Sequence, residues 1–285
     1  MARNDLLVVG FKDEASLVRR CAAELKARMK IVATDRYRAG ELKLVGPSEV
    51  PKQVLVAANV REPAESLLRV LSLAHELRHV GAKRVVLLAP WIAYGRQDRV
   101  TRPGEEPIGL MVGKLLASMF DRIVTLDAHS PAFIESFNGK LVNVLSWATL
   151  KASGVDLVAA PDHGAMERAS LAADALGVPF IGIEKIRDGK RVVSKIQAGT
   201  FIKGARVLIV DDMADSGETL KAAARVLKKS GAWPLKAVVT HAFDLKRLKR
   251  QLQPEIKKVE AVFDHASGEI DPVALDYLAR QASLA

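Results

Sequence analysis

The chain has 285 residues, 49% of them hydrophobic and 27% charged, which allows about two packed domains and excludes a disordered chain. Its single cysteine, Cys21, excludes an internal disulfide framework and fits a reducing compartment, and no apolar run approaches the roughly 18 residues that a membrane span needs. We therefore expect a soluble, cytoplasmic protein whose net charge of +10 reflects solvated basic surfaces or attraction of phosphorylated substrates rather than nucleic acid.

Short apolar runs alternate with amphipathic stretches along the chain. The predicted strands are Leu6–Val9, Gln53–Ala57, Val85–Ala89, Ile123–Leu126, Leu157–Ala160, Phe180–Ile183, Val207–Val210, Ala237–Thr240 and Val259–Phe263. The predicted helices are Glu14–Met29, Pro63–Val80, Pro107–Met119, Ala165–Ala175, Glu218–Lys229 and Pro272–Gln281. This alternation predicts an α/β fold with parallel sheets flanked by helices.

The easiest break in the pattern lies between residues 139 and 154. We therefore expect an N-terminal domain over residues 1–145 and a C-terminal domain over residues 146–270. The C-terminal helical segment, residues 271–285, is expected to return and pack on the first domain.

Charged or metal-capable residues follow five of the predicted strands. These segments are PWIAYGRQDR, DAHS, PDHG, EKIRDGKR and DDMADSGET. Because ligands of open parallel sheets bind beyond the carboxyl ends of the strands, this distribution predicts a site at that edge.

The segment after Val207–Val210 is the most informative. Two adjacent carboxylates, Asp211 and Asp212, precede a small-residue turn and a helix that begins near Glu218. Such a turn presents backbone N–H groups and a helix N-terminus to a phosphate, whereas paired carboxylates suit the hydroxyls of a vicinal diol. An ordinary N-capped helix is the alternative, and a sugar phosphate held at both ends explains more of the residues.

This segment resembles the phosphoribosyl diphosphate motif of type I phosphoribosyltransferases and phosphoribosyl diphosphate synthetases. The resemblance implies a ribose 5-phosphate site made of Asp211, Asp212, Asp215, Ser216, Gly217, Glu218 and Thr219. Glu218 departs from the family, where glycine or another small residue is usual, and it would weaken phosphate binding unless it points outward.

The segment Arg96-Gln97-Asp98-Arg99 combines two guanidinium groups with an amide and a carboxylate, and arginine forks bind phosphate bidentately. Taken alone it would more often be a surface ion-pair cluster. Together with the following Glu106-Pro107-Ile108, it resembles the ATP-binding segment of the synthetases, which phosphoribosyltransferases lack. The resemblance implies that Arg96, Gln97, Asp98 and Arg99 bind ATP.

The segment Arg36–Glu41 resembles a turn that reads adenine across a subunit interface in this family. The resemblance assigns Tyr37 and Glu41 to ATP binding and implies at least a homodimer. Ala39 stands where the family has Asp, which loosens the expected adenine specificity. A plain β-turn is the alternative for this stretch.

His129 and Asp162 each follow a predicted strand. Taken singly, a structural histidine and a helix N-cap are the more common explanations. In the synthetases the matching residues hold magnesium on the nucleotide, so the resemblance implies that His129 and Asp162 are Mg²⁺ ligands.

Lys185 and Arg187 follow the strand Phe180–Ile183, in a segment expected to form a strand-exit loop. A solvated basic loop with a hairpin turn at Asp188-Gly189 is the alternative. The resemblance makes Lys185 and Arg187 catalytic residues on a loop that closes over the polyphosphate, where positive charge would stabilise the transferred group.

The resemblance covers almost the whole chain and identifies a ribose-phosphate diphosphokinase of a compact, archaeal-like kind with two tandem phosphoribosyltransferase-like domains. The implied reaction transfers diphosphate from MgATP to the C1 hydroxyl of ribose 5-phosphate and releases AMP. A phosphoribosyltransferase and a non-catalytic regulatory homologue are the alternatives; retention of Lys185 and of the Asp pair favours the enzyme.

Overall fold

The computed structural model of the chain describes residues 5–145, 147, 150, 152–188, 191–196 and 202–283, and within these ranges the side chains of residues 184–188 and 191–196 lie outside the description. Two compact units make up the chain, Met1–Val144 with Pro272–Ala285 and Leu145–Asp271. Among the described residues, every helix is too short or too polar to cross a membrane.

The first unit contains a seven-stranded sheet. Its strands are β1 (Leu6–Phe11), β2 (Arg28–Arg36), β3 (Leu42–Val45), β4 (Gln53–Ala57), β5 (Arg84–Leu88), β6 (Arg122–Leu126) and β7 (Leu141–Val144). They lie in the order β3-β2-β1-β4-β5-β6-β7, and all neighbours are parallel except β2 and β3.

The helices of the first unit are α1 (Ala15–Leu25), α2 (Glu65–His79), α3 (Ile108–Met119), α4 (Pro131–Glu135) and α8 (Pro272–Ser283). Helix α8 packs on α1, β5 and β6. At its outer end the Arg280 Nε donates a hydrogen bond to the Glu24 Oε1 at 2.8 Å.

The second unit contains another seven-stranded sheet. Its strands are β8 (Leu157–Ala160), β9 (Phe180–Asp188), β10 (Arg191–Ile196), β11 (Val207–Ala214), β12 (Leu235–Ala242), β13 (Lys258–Asp264) and β14 (Glu269–Ile270), and its helices are α5 (Met166–Leu176), α6 (Glu218–Lys229) and α7 (Leu245–Leu252). The order is β10-β9-β8-β11-β12-β13-β14, with antiparallel pairs only at the two edges.

The two sheets have the same strand order when each unit is counted from its own first strand. In both, the direction of strand addition reverses between the first and fourth strands, β1 and β4 in one unit and β8 and β11 in the other. Crevices at such reversal points are the usual ligand sites of open α/β sheets. The fold therefore offers one such crevice in each unit.

The cores explain why these segments form their elements. In β4 the residues Val54, Leu55, Val56 and Ala57 are all buried, as expected for a parallel strand covered on both faces. Helix α6 buries Leu220, Ala223, Ala224 and Leu227, which recur at the spacing of one helical face. Cys21 is buried in α1, and burial raises the pKa of its thiol to about 12.

The predicted α/β class with parallel sheets is confirmed, and several element boundaries were wrong. The helix predicted over Glu14–Met29 ends at Leu25 because Lys26 adopts a left-handed conformation with φ of 50°. The predicted strands and helices did not include β2, β3, β7, β10, β14, α4 or α7. Strand β11 runs four residues beyond the predicted Val207–Val210, so Asp211 and Asp212 lie inside the strand.

Candidate active site

The paired carboxylates lie on β11, in the part of this strand that extends beyond the end of its neighbour β8. Pairing between these strands includes Ile209 and Ala159, and β8 ends at Ala160, whereas β11 continues to Ala214 beside β12. Asp211 is partly buried and Asp212 is buried, and the Asp212 N–H donates to the Asp211 Oδ1 at 3.0 Å. Both therefore stand at the crevice of the second unit.

The carboxyl group of Asp211 lies in surroundings that disfavour its ionisation. Burial raises the pKa of this carboxyl well above its ordinary value, and the neighbouring carboxylates of Asp212 and Asp162 raise it further. Burial and like charges both disfavour the ionised form. A cation or a set of hydroxyl donors bound at this point would relieve that cost.

Arg168 on α5 is a buried arginine of the site that the sequence analysis missed. Its Nη1 donates to the Gly164 carbonyl at 2.9 Å, and its Nη2 lies 3.7 Å from the Asp212 Oδ2. Arg168 thus compensates Asp212 and fixes the loop after β8. Its sequence signal is an arginine on the small, apolar face of α5, beside Ala165, Ala169 and Ala172.

The predicted phosphate turn connects β11 to α6. Asp215 and Ser216 are exposed, and Gly217 has φ of 73°, a left-handed conformation that suits glycine. Helix α6 then begins at Glu218, and its first N–H groups have no partner within the helix. An anion at this turn would meet those N–H groups and the positive end of the helix dipole.

Glu218 and Thr219 begin this helix. The Glu218 N–H lies 3.5 Å from the Ser216 Oγ, a long contact that an anion can displace. Glu218 is exposed and Thr219 is partly buried. Its exposure lets the Glu218 side chain lie in solvent, away from a phosphate held by the backbone.

Asp162 follows β8 in the same unit. Its Oδ1 accepts a hydrogen bond from the Gly164 N–H at 3.1 Å and caps the short 3₁₀ turn His163–Ala165. This is the helix-capping role that the sequence left open for Asp162. The Asp162 carboxylate also raises the pKa of Asp211 electrostatically, so it caps the 3₁₀ turn and acts on Asp211 at the same time.

Lys185 and Arg187 lie in a strand rather than in the predicted exit loop. Strand β9 extends to Asp188 because β10 pairs with it antiparallel, with Lys185 opposite Ser194 and Arg187 opposite Val192. The predicted turn at Gly189 and the side chains of Lys185 and Arg187 lie outside the described part of the chain. β9 is adjacent to β8 in the sheet of the second unit.

In the first unit, the segment Arg96–Arg99 lies next to α3 and the loop that carries His129. A Cβ at Gly109 would lie 2.4 Å from the Tyr94 carbonyl oxygen, and one at Gly95 would lie 3.5 Å from the His129 Cβ. Only glycine permits the approach at position 109, whereas the 3.5 Å separation is an ordinary van der Waals contact between the segment and His129. The structure therefore brings the predicted nucleotide segment and His129 together.

The side chains of this segment are accessible to a ligand. Arg96, Gln97 and Arg99 are exposed. Asp98 is partly buried, with its Oδ1 4.0 Å from the Arg99 Nε. His129 is partly exposed after β6, directly before Ser130, which caps α4.

Tyr37 and Glu41 lie apart from that group. They close the β2–β3 hairpin through the Tyr37 N–H, which donates to the Glu41 carbonyl at 3.0 Å, and both side chains are exposed. β1 and β4 separate β2 from β5, a distance of about 14 Å at the usual strand spacing. The hairpin and Arg96–Arg99 therefore adjoin strands that are three positions apart in the sheet.

Metal-binding capacity is distributed rather than concentrated. Within the described ranges, no group of three or more His, Cys, Asp or Glu side chains is arranged to hold a metal ion. Carboxylate oxygens at Asp162, Asp211 and Asp212 are nevertheless the donors that Mg²⁺ prefers, and Mg²⁺ commonly completes its shell with water and substrate phosphates. The donor set fits a magnesium ion delivered with a polyphosphate.

Comparisons with known proteins identify the family to which the two units are similar. Residues 6–123 match the family model for the N-terminal domain of ribose phosphate pyrophosphokinase, and residues 140–277 match the phosphoribosyl transferase domain. The chain is 33% identical over 245 residues to the ribose-phosphate pyrophosphokinase of Methanopyrus kandleri, covering 83% of this chain and 84% of that relative. It is 32% identical to that of Pyrococcus furiosus, covering 76% and 79%.

A solved structure has the same fold over nearly the whole chain. The phosphoribosylpyrophosphate synthetase from Mycobacterium smegmatis is 22% identical, with a TM-score of 0.79, and the match covers 99% of this chain and 100% of that one. At this identity the likeness establishes the fold.

Proposed function

The chain belongs to the ribose-phosphate pyrophosphokinase family, and we propose that it transfers diphosphate from MgATP to the C1 hydroxyl of ribose 5-phosphate, giving phosphoribosyl diphosphate and AMP for nucleotide biosynthesis. The observation that carries this proposal is the β11–α6 segment. Paired carboxylates on β11 lead there directly into the proposed phosphate turn, at the reversal point of the sheet.

Ribose 5-phosphate binds at the second unit in this proposal. Asp211 and Asp212 accept hydrogen bonds from the ribose hydroxyls. The turn from Asp215 to Thr219 surrounds the 5-phosphate. The phosphate oxygens accept hydrogen bonds from the N–H groups at the start of α6 and from the hydroxyls of Ser216 and Thr219.

ATP binds at the first unit, where Arg96, Gln97 and Arg99 are exposed beside His129. Two guanidinium forks suit the polyphosphate, and the amide of Gln97 suits a base edge. Asp98 orients Arg99 through their ion pair at 4.0 Å.

A second copy of the chain completes the adenine-binding site. Tyr37 offers an aromatic face and Glu41 a carboxylate on the β2–β3 hairpin, whose strand β2 is three positions from β5, the strand that precedes Arg96–Arg99. A homodimer, or a larger homo-oligomer, in which each hairpin reaches the partner's nucleotide segment reconciles these positions. An exposed apolar stripe on α3, formed by Ile108, Met111 and Leu115, supports a protein contact at this unit.

Magnesium accompanies the nucleotide, and we propose His129 of the first unit and Asp162 of the second unit each as a magnesium ligand, with substrate oxygens completing the shell. When bound, it neutralises the polyphosphate and polarises the phosphoryl group. Burial and the neighbouring carboxylates of Asp212 and Asp162 raise the pKa of Asp211, and a divalent cation bound there would relieve the cost of ionising it.

The reaction needs orientation and charge more than covalent help from the protein. The ribose C1 hydroxyl attacks the β-phosphorus of ATP, the bond to the α-phosphate oxygen breaks, and AMP leaves. Lys185 and Arg187 on β9 stabilise the negative charge that develops on the transferred group. Their strand is adjacent to β8, whose exit carries Asp162.

A coupled assay tests the proposal directly. Purified protein should release AMP from ATP only when ribose 5-phosphate and Mg²⁺ are both present, and the sugar product should then support nucleotide synthesis by an added phosphoribosyltransferase. Consumption of phosphoribosyl diphosphate with a purine or pyrimidine base would indicate a phosphoribosyltransferase instead. Binding of both substrates without AMP release would indicate a regulatory homologue. The single cysteine, Cys21, fits the cytoplasm as the place of this activity.

A further inference from the structure

An ion pair ties the proposed phosphate turn to helix α7. The Arg247 Nη2 lies 2.7 Å from the Asp215 Oδ1 and 3.3 Å from the Asp215 carbonyl oxygen. One guanidinium group therefore contacts both the side chain and the main chain of the turn. Arg247 lies 32 residues after Asp215 in the sequence, so the folding of the second unit brings the two residues together.

Helix α7 forms a rigid wall behind this turn. A Cβ at Gly217 would lie 2.7 Å from the Leu248 Cδ1 and 3.2 Å from the Leu252 Cδ2, and both leucines are fully buried. Asp244 caps the helix by accepting a hydrogen bond from the Arg247 N–H at 2.7 Å. The position of Arg247 relative to the turn is therefore fixed from two directions.

Helix stability does not explain this arginine. Arg247 lies in the first turn of α7, where the helix dipole disfavours a positive charge. The pair with Asp215 is also half-exposed, with 46% and 54% of the two side chains accessible, and such pairs add little to folding stability. Another role for the charge is required.

The charge of the turn supplies that role. A phosphate bound here would lie close to the carboxylate of Asp215, which repels a dianion. Arg247 neutralises Asp215 and holds its main chain in place. The turn is thereby prepared for an anion before any ligand arrives, which lowers the cost of binding.

We propose that Arg247 is a positioning residue for the sugar-phosphate site, which sets the affinity for a phosphorylated pentose by neutralising and fixing Asp215. This inference rests on the proposed function, since it presumes that the phosphate binds at this turn. Arg247 acts on the substrate through Asp215 and takes no part in the chemical step.

Steady-state kinetics of Arg247→Ala test this role. We expect the KM for ribose 5-phosphate to rise roughly tenfold, as for loss of one charge-assisted interaction. The kcat and the KM for ATP should change by less than about twofold, because the transferred group and the nucleotide do not depend on this turn. Arg247→Lys, which keeps the charge, should recover part of the loss.

Arg250→Ala is the matched control, since it removes the same charge from an exposed position one turn later in α7. It should leave the KM for ribose 5-phosphate unchanged. In an Asp215→Ala background, Arg247→Ala should raise this KM by less than it does in the wild type, because the side-chain contact is already lost and only the contact with the carbonyl oxygen remains. Thermal melting of Arg247→Ala should match the wild type.

A wild-type KM in Arg247→Ala, or an equal rise in Arg250→Ala, would overturn the positioning role while leaving the proposed function intact. A large fall in kcat with unchanged KM would also overturn it. Failure of the wild-type protein to release AMP in response to ribose 5-phosphate would refute the proposed function and this role with it.

Discussion

The carboxylate of Glu14 is hydrogen-bonded to Asn59 at the crevice of the first unit. Both Glu14 oxygens accept from the Asn59 backbone N–H at 3.0 Å, and the Glu14 Oε1 accepts from the Asn59 Nδ2 at 2.6 Å. Asn59 follows β4, the strand that corresponds to β11 in the second unit.

This pair distinguishes the two otherwise similar halves of the fold. In each unit the first strand ends in a short 3₁₀ turn that leads into a helix, Lys12–Glu14 in one and His163–Ala165 in the other. In the first unit a carboxylate from this turn satisfies the N–H after the fourth strand. In the second unit the turn after β11 has no such internal carboxylate among its described contacts, and it is available for a phosphate.

Glu14→Ala should therefore destabilise the first unit. The change leaves the buried N–H and amide of Asn59 without their acceptor, and we expect the free energy of unfolding to fall by about 1–3 kcal/mol. Urea denaturation measures this loss. Glu49→Ala, the same change at an exposed position, should have almost no effect; equal stability of the two variants would contradict the structural role of Glu14.

Gly217→Ala should combine two costs at the phosphate turn. A side chain at φ of 73° costs about 1 kcal/mol, and its Cβ would also clash with Leu248. We expect a loss of stability of about 2–4 kcal/mol and strongly weakened binding of ribose 5-phosphate, measured by urea denaturation and calorimetry.

Gly139→Ala separates the two costs, because Gly139 has a similar φ of 77° with nothing near the position of a Cβ. This control should lose only the backbone contribution and bind ribose 5-phosphate normally. A Gly217→Ala variant no less stable than Gly139→Ala would show that α7 does not press on the turn.

Local patterns predicted the parts of the fold that bury short apolar runs. β4 and β8 are continuous apolar segments covered on both faces, so sequence composition alone identified them. β2 was missed because it lies near the sheet edge and exposes most of its residues, which include Arg28, Lys30 and Asp35. Helix α1 was predicted too long because no glycine marks its end at Lys26.

The same division applies to the candidate site. The residues of the turn from Asp215 to Thr219 are contiguous in the sequence, so the turn could be identified from the sequence alone. The contacts of Arg168 with Asp212 and of Arg247 with Asp215 join distant segments, and only the packing of α5 and α7 brings them together. Because a basic helix such as α7 is typical of a solvated surface, the sequence pattern did not indicate that Arg247 contacts Asp215.

Lys185→Ala should abolish most turnover and spare ribose 5-phosphate binding. Removing one donor aimed at a developing oxyanion typically lowers kcat by about 10²–10³, whereas the sugar-phosphate turn lies on another strand. Single-turnover AMP release and calorimetry with ribose 5-phosphate measure the two effects. Lys229→Ala, an exposed lysine at the end of α6, should keep wild-type rates; similar rates in Lys185→Ala would refute its catalytic role.

Acid should weaken the second unit through Asp156. The Arg206 guanidinium and backbone N–H donate to this carboxylate, and these bonds lower its pKa from 3.8 to about 2. A carboxyl whose pKa is depressed on folding contributes stability that is complete above its unfolded pKa and is lost as pH falls through its folded pKa. The stability difference between wild type and Asp156→Asn should therefore shrink from about pH 4 to about pH 2. Carboxyl carbon NMR should follow the same titration, which Arg206→Ala should move back towards 3.8 and Arg225→Ala, on α6, should leave in place; an Asp156 midpoint near 3.8 in the wild type would contradict the prediction.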